Sequence, residues 1–157
     1  MEFDEVIITA ANEAQAVGYR AQTAARGRVK VFADPGDRRV GSLGATVNAL
    51  RETGFAASRH RRVLIVHSGG DARRTPGYAA MGKAFVPLKD GRAMLEHIVE
   101  AMERLNLPEA GGVVVVSGDV LPVFDYQAMD FSRRGVTGVA YPDGAHEARR
   151  HGVYVVS

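Results

Sequence analysis

Arg62-Val63-Leu64-Ile65-Val66-His67-Ser68-Gly69-Gly70-Asp71-Ala72-Arg73-Arg74-Thr75-Pro76 is an apolar run that opens directly onto a loop of glycine and basic residues. The run 62–67 reads as a β-strand. In an α/β protein, ligands collect beyond the carboxyl ends of parallel strands, which is where this loop begins. Gly69 and Gly70 let backbone N–H groups approach an anion closely. Further on, Gly82-Lys83-Ala84-Phe85-Val86-Pro87-Leu88 adds a lysine. Arginine offers a planar fork to phosphate oxygens and lysine a mobile point charge, so Arg74 and Lys83 suit different phosphates of an extended triphosphate. The competing reading is a surface loop of solvated cations.

Outward from this stretch the chain alternates short apolar runs with helical patterns. Val6-Ile7-Ile8-Thr9-Ala10-Ala11 predicts a strand, 13–25 a helix, Val29-Lys30-Val31-Phe32-Ala33 a strand and Asp34-Pro35-Gly36-Asp37 a turn. Gly41-Ser42-Leu43-Gly44-Ala45-Thr46 reads as a small-residue loop running into a helix over 47–52 that stops near Gly54, and 54–62 as a basic loop. Beyond the glycine loop, 84–88 reads as a brief extended piece. Residues 93–105 carry Met94, Leu95, Ile98, Met102 and Leu105 at helical spacing. Gly112-Val113-Val114-Val115-Val116-Ser117 predicts a deeply buried strand, with further strands over 138–141 and 152–156. The order predicts one three-layer, Rossmann-like α/β domain over 1–157 with a mostly parallel sheet. The chain stops at Ser157 directly after an apolar run, with no closing helix, which leads to the expectation of a fragment or reduced version of something larger.

Composition narrows the chemistry. With 157 residues, 46% of them apolar, the chain is long enough for one domain with a core. It has no cysteine, which excludes disulfides, thiolate catalysis and Cys-ligated zinc. The acidic start Met1-Glu2-Phe3-Asp4-Glu5 and the lack of a long apolar run support neither a signal peptide nor a membrane span, so a soluble, cytoplasmic protein is expected. A net charge of +2, with cations scattered and not blocked together, argues against nucleic acid as the partner. Lys30, Lys83 and Lys89 are the three lysines, so a lysine beside the glycine loop stands out.

Several motifs are decoys. Gly77-Tyr78-Ala79-Ala80-Met81-Gly82-Lys83 has P-loop spacing, but Ala84 replaces the Ser or Thr that binds magnesium, no strand runs into Gly77, and the following segment does not read as a helix. His60, His67, His97, His146 and His151 include no pair at i, i+4, so zinc is not expected. There is no Gly-x-Ser-x-Gly elbow, and no Gly-x-Gly-x-x-Gly after the first strand. Met81, Met94, Met102 and Met129 read as core filling. Asp119, just past the strand over 112–117, lies at the ligand edge of the sheet and suits Mg²⁺, which takes few carboxylates plus substrate phosphates. The alternative for Asp119 is a cap on a segment starting near Leu121, and Asp125 beside Phe124 reads as a cap.

Gly69-Gly70, Arg73-Arg74 and the later Gly82-Lys83-Ala84-Phe85-Val86-Pro87-Leu88 resemble the signature of sugar-1-phosphate nucleotidyltransferases. More narrowly, five segments resemble the N-terminal domain of the L-fucokinase / fucose-1-phosphate guanylyltransferase (GDP-L-fucose pyrophosphorylase) family. They are 6–11, 41–46, 67–88, Ser117-Gly118-Asp119-Val120-Leu121 with Phe124-Asp125, and His151-Gly152-Val153-Tyr154. Leu43, where the family loop has glycine, and Thr75, where an apolar residue is common, depart from the pattern. The resemblance implies a nucleotide-diphospho-sugar transferase fold and a Mg²⁺-dependent reaction of GTP with a sugar 1-phosphate. It implies that Gly69, Gly70, Arg74 and Lys83 hold the triphosphate and that Asp119 binds Mg²⁺. It further implies that Gly41, Gly44 and Thr46 lie near the base and that Gly152 contacts the sugar. The family's further sugar-binding elements, β-helical region and kinase domain have no counterpart in these 157 residues, so a non-catalytic nucleotide- or sugar-phosphate-binding module is the alternative function.

Overall fold

The computed structural model describes residues 2–55, 60–68, 78, 81–133, 135–144 and 146. Its core is a four-stranded sheet of β1 (Glu5–Ala10), β2 (Val29–Ala33), β3 (Arg62–His67) and β4 (Gly112–Ser117), in the order β2-β1-β3-β4. All neighbouring pairs are parallel. Helices α1 (Glu13–Thr23), α2 (Gly41–Glu52) and α3 (Met94–Met102) complete the three layers. None is long and apolar enough to cross a membrane.

Alternation along the strands sorts the core into two sides. Val6, Ile8 and Ala10 of β1 with Leu64 and Val66 of β3 meet Ala16 and Tyr19 of α1 and Leu95, Ile98 and Met102 of α3. On the other side Ile7, Val63 and Ile65 meet Ala49 of α2. Ion pairs from Arg26 to Glu96 (3.1 Å) and Arg28 to Glu103 (2.9 Å) tie α3 to the turn between α1 and β2. The start of α1 is set by a reciprocal cap: the Asn12 side chain accepts from the Gln15 N–H at 2.8 Å, and the Gln15 side chain accepts from the Ala11 N–H at 2.8 Å.

Four expectations are corrected. Residues 41–46 are not a loop but the first half of α2, because Ala45 and Ala49, one turn apart, both pack inward, and such tertiary burial outweighs glycine's poor helix propensity. The piece 84–88 is not extended throughout. It opens with a single 3₁₀ turn, Lys83–Phe85, and Pro87 makes an isolated antiparallel bridge to Ala93. β4 is not deeply buried, since no described strand covers its outer edge and Val115 is 48% exposed. Residues 138–141 form no strand and are exposed, Tyr141 prominently so. The expected strand over 152–156 lies outside the described residues. Of the methionines, Met102 is core, Met94 and Met129 flank it, and Met81 is exposed. Asp125 caps the 3₁₀ turn Tyr126–Ala128, as its position suggests, accepting from the Gln127 N–H at 3.0 Å.

Among the described residues Glu5 is the one buried charged side chain, at the amino end of β1. Its carboxylate pairs with Lys30 at 2.6 Å and with Arg61. Removing one member of a buried pair strands its partners, although here Lys30 and Arg61 retain a path to solvent. Glu5→Ala is therefore expected to cost roughly 2–3 kcal/mol, a little below the usual loss for breaking a buried pair. The urea unfolding midpoint measures this, with Lys30→Ala, on the exposed side of the pair, expected to cost less.

Candidate active site

A parallel sheet places all its carboxyl ends on one edge. Here β1 leads to β2 on one side of the sheet and β3 to β4 on the other, so the point between β1 and β3 is the topological switch at which α/β proteins open a ligand crevice. Thr9 and His67 are register partners at that point. Thr9 Oγ1 lies 3.0 Å from His67 Nδ1, and Thr46 Oγ1, from α2, lies 2.9 Å from Nε2. In the neutral imidazole one nitrogen donates to a threonine and the other accepts from one. Burial pushes the His67 pKa below its ordinary value, with the Asp34 charge opposing in part.

The second cluster forms where β4 ends. Gly118 donates its N–H to the His67 carbonyl at 2.8 Å, and a Cβ at Gly118 would lie 3.1 Å from that oxygen and 3.3 Å from Ser68 Cβ. Glycine at this position lets the end of β4 lie close against the stem of the loop that follows β3. Asp119 projects next. Its Oδ1 accepts from the Ser117 hydroxyl at 2.5 Å, and its Oδ2 accepts from the Lys83 ammonium at 2.9 Å. The Ser117 hydroxyl, and then Lys83, hold the Asp119 carboxyl below the usual carboxylate range. No described helix starts at Leu121, which leaves only the turn form of the capping alternative for Asp119, and Gly118 and Asp119 do lie in a turn.

Lys83 and Asp119, separated by 36 residues, are thus together at the ligand edge. Gly41 and Gly44 lie in the first half of α2, where Gly44 packs its bare Cα against the Val40 side chain, and Thr46 faces His67. Gly69, Gly70, Arg74 and Gly152 lie outside the described residues. No group of three metal-ligating side chains forms among the described residues. Asp119 is one ionised, half-exposed carboxylate at the sheet edge, a donor set that fits Mg²⁺ held mainly by substrate phosphates and water. Thr9, His67 and Ser117 appear in the sequence reading only as members of strands and resembling segments, with no role of their own. Thr9 is signalled only as the polar member of an otherwise apolar run, and His67 and Ser117 only as polar residues closing their strands.

The His67 environment carries a pH prediction. The unfolded imidazole titrates near 6.5 and the folded one lower, so both states are neutral above 6.5. Below it the unfolded state binds the proton first, and stability falls as the pH drops through the folded value. The urea midpoint is expected to fall between pH 7.5 and pH 5, and His67→Gln to flatten that fall.

Residues 57–157 match the family model described as the Fucose pyrophosphorylase domain. The chain is similar to the bifunctional fucokinase/GDP-fucose pyrophosphorylase of Arabidopsis thaliana, 30% identical over 202 positions that take in 99% of this chain and 19% of that protein. It is also similar to fucose-1-phosphate guanylyltransferase of Homo sapiens, at 29% identity covering 98% of this chain and 28% of that protein. For fucose-1-phosphate guanylyltransferase of Mus musculus the identity is 27%, covering 98% and 29%. The chain therefore spans less than a third of the length of these curated relatives. No solved structure matches it. The family match begins just before β3, takes in both Lys83 and Asp119, and extends over well over half of the residues, so the chain belongs to the fucose pyrophosphorylase domain family.

Proposed function

We propose that the chain is a sugar-1-phosphate nucleotidyltransferase domain of the fucose-1-phosphate guanylyltransferase type, which joins GTP and a sugar 1-phosphate to give a GDP-sugar and pyrophosphate. The observation that carries the reading is the Lys83–Asp119 pair, a cation and a carboxylate side by side at the carboxyl edge of a parallel sheet. The names of the relatives supply the substrate class.

In this reading an oxygen of the sugar phosphate attacks the α-phosphorus of the nucleotide in line, and the bond to the β-phosphate oxygen breaks with pyrophosphate leaving. Such a transfer needs alignment and charge neutralisation and no protein nucleophile. Gly69 and Gly70 present backbone N–H groups to the triphosphate, and Arg74 holds the departing pyrophosphate. Lys83 leaves Asp119 for the reacting phosphates, where a positive charge has most effect as negative charge develops. Asp119 is the residue that would hold Mg²⁺, which when bound neutralises phosphate charge. The first half of α2, with Gly41, Gly44 and Thr46, faces the base, and Gly152 the sugar. Cytoplasmic location and the absence of a nucleic-acid partner belong to the same reading.

Calorimetric titration with GTP, and with ATP and UTP as controls, each with and without Mg²⁺, tests the substrate class. Selective GTP binding strengthened by Mg²⁺ supports it, and equal or no binding of all three nucleotides overturns it. Pyrophosphate release with fucose 1-phosphate then separates an enzyme from a module that only binds nucleotide. Lys83→Ala is expected to lower turnover by about 100-fold or more with the fold intact, as loss of a group stabilising transition-state charge does. Asp119→Asn is expected to raise the Mg²⁺ concentration needed for half-maximal rate, and an unaltered metal dependence rules out its role as ligand.

A further inference from the structure

Tyr19, on α1, is fully buried and has no part in the proposed chemistry, yet it touches the chain on both sides of the glycine loop. Its hydroxyl donates to the Ser68 carbonyl at 2.9 Å, on the residue at which the loop departs from β3. The Ser68 hydroxyl in turn lies 3.4 Å from the Tyr19 oxygen. On the far side, Gly82 sits with its backbone against the same ring. A Cβ there would fall 2.4–2.7 Å from Tyr19 Cε1, Cζ and the hydroxyl oxygen, and the Gly82 φ of +83° is itself a glycine conformation. Phe85 packs on Tyr19 with ring centroids 5.1 Å apart at a tilt of 54°. One turn along α1, Gln22 donates from Nε2 to the Met81 carbonyl at 2.9 Å.

Residues 82 and 85 therefore both rest on one aromatic ring, and Lys83 leaves the backbone between them to reach Asp119. Ser68, held by the Tyr19 hydroxyl, is also the residue against which the end of β4 packs through Gly118. We propose that Tyr19 is a positioning residue, a clamp that joins the two stems of the glycine loop and fixes the backbone from which Lys83 reaches Asp119. Burial pushes the phenol pKa up, so the hydroxyl stays a donor through neutral pH. The consequence for catalysis rests on the role given to Lys83 above.

The chain's three lysines allow a test that does not depend on turnover. In competitive acylation with an amine-reactive ester, read by mass spectrometry, Lys30 is the internal reference, because it pairs with Glu5 at the opposite end of the sheet. Tyr19→Phe removes the hydroxyl and keeps the ring, and Gly82→Ala drives a methyl group into the ring. In both, the Lys83-to-Lys30 labelling ratio is expected to rise several-fold over wild type. If either folded variant leaves the ratio unchanged, or if Lys83 and Lys30 labelling rise together as in general loosening, the clamp is overturned. Turnover is read on the same variants. A fall in kcat of up to about 100-fold, with a smaller change in the nucleotide KM, is the expected cost of a misplaced catalytic lysine. A raised ratio with unchanged kcat upholds the clamp and overturns instead the part assigned to Lys83 in the reaction.

Discussion

Parallel pairing of β1 with β3, Thr9 against His67, is the constraint on which the rest of the molecule depends. β1 is buried along its whole length and feeds both sides of the core, Val6 and Ile8 toward α1 and α3, Ile7 toward α2. A slip of one residue would exchange these sets and set Glu5 and Thr9 in the wrong layers, so the register is strongly fixed. That register puts the ends of β1 and β3 level, and with them the departure point of the glycine loop. The Gly118 N–H bond to the His67 carbonyl then carries the same alignment to the end of β4. Asp119 is thus placed by three strands in series.

Against that rigid frame the Lys83–Asp119 pair is weakly held. The two side chains are 38% and 45% exposed, and an ion pair so open to water contributes about 0–1 kcal/mol. Stability does not account for bringing together residues from the two sides of α3. A pair this weak is easily exchanged for a stronger anion on one side and a divalent cation on the other. The Ser117 hydroxyl matters here, because it holds Asp119 ionised whether or not Lys83 stays in place.

The legibility of this arrangement from sequence follows the range of the forces involved. β1, β2, β3 and α1 are set by local runs and caps, and their positions were readable to within one or two residues. Residues 41–46 were not, because Gly41 and Gly44 look like loop residues until Ala45 and Ala49 are seen against the sheet. An unbroken run of valines gave β4 its strand but not its place, since the same run serves at the centre or the edge of a sheet. Lys83 and Asp119 were each readable as chemistry, one from its loop and one from its strand end. Their meeting was not, nor was Tyr19, whose helix carries no mark of the loop it grips. Tertiary contacts across tens of residues leave no periodic trace in the chain.

The family match covers 57–157, yet part of what holds its described residues in place comes from outside it. β3 has β1 along one edge and β4 along the other. Without β1 and α2, β3 would keep only β4 as a sheet neighbour among the described residues; α3 would still cover Leu64 and Val66, but Val63 and Ile65 on the other face would lose Ile7 and Ala49. The polar contacts follow the same division. Thr9 and Thr46 bracket His67, Tyr19 holds Ser68 and Gly82, and Gln22 holds Met81, each from the residues that precede the matched segment. In the proposed reading Lys83 and Asp119 are the chemical half of the site, and β1, α1 and α2 its mechanical half. The amino-terminal third is therefore not an appendage to the fucose pyrophosphorylase segment but the surface against which that segment acquires its shape.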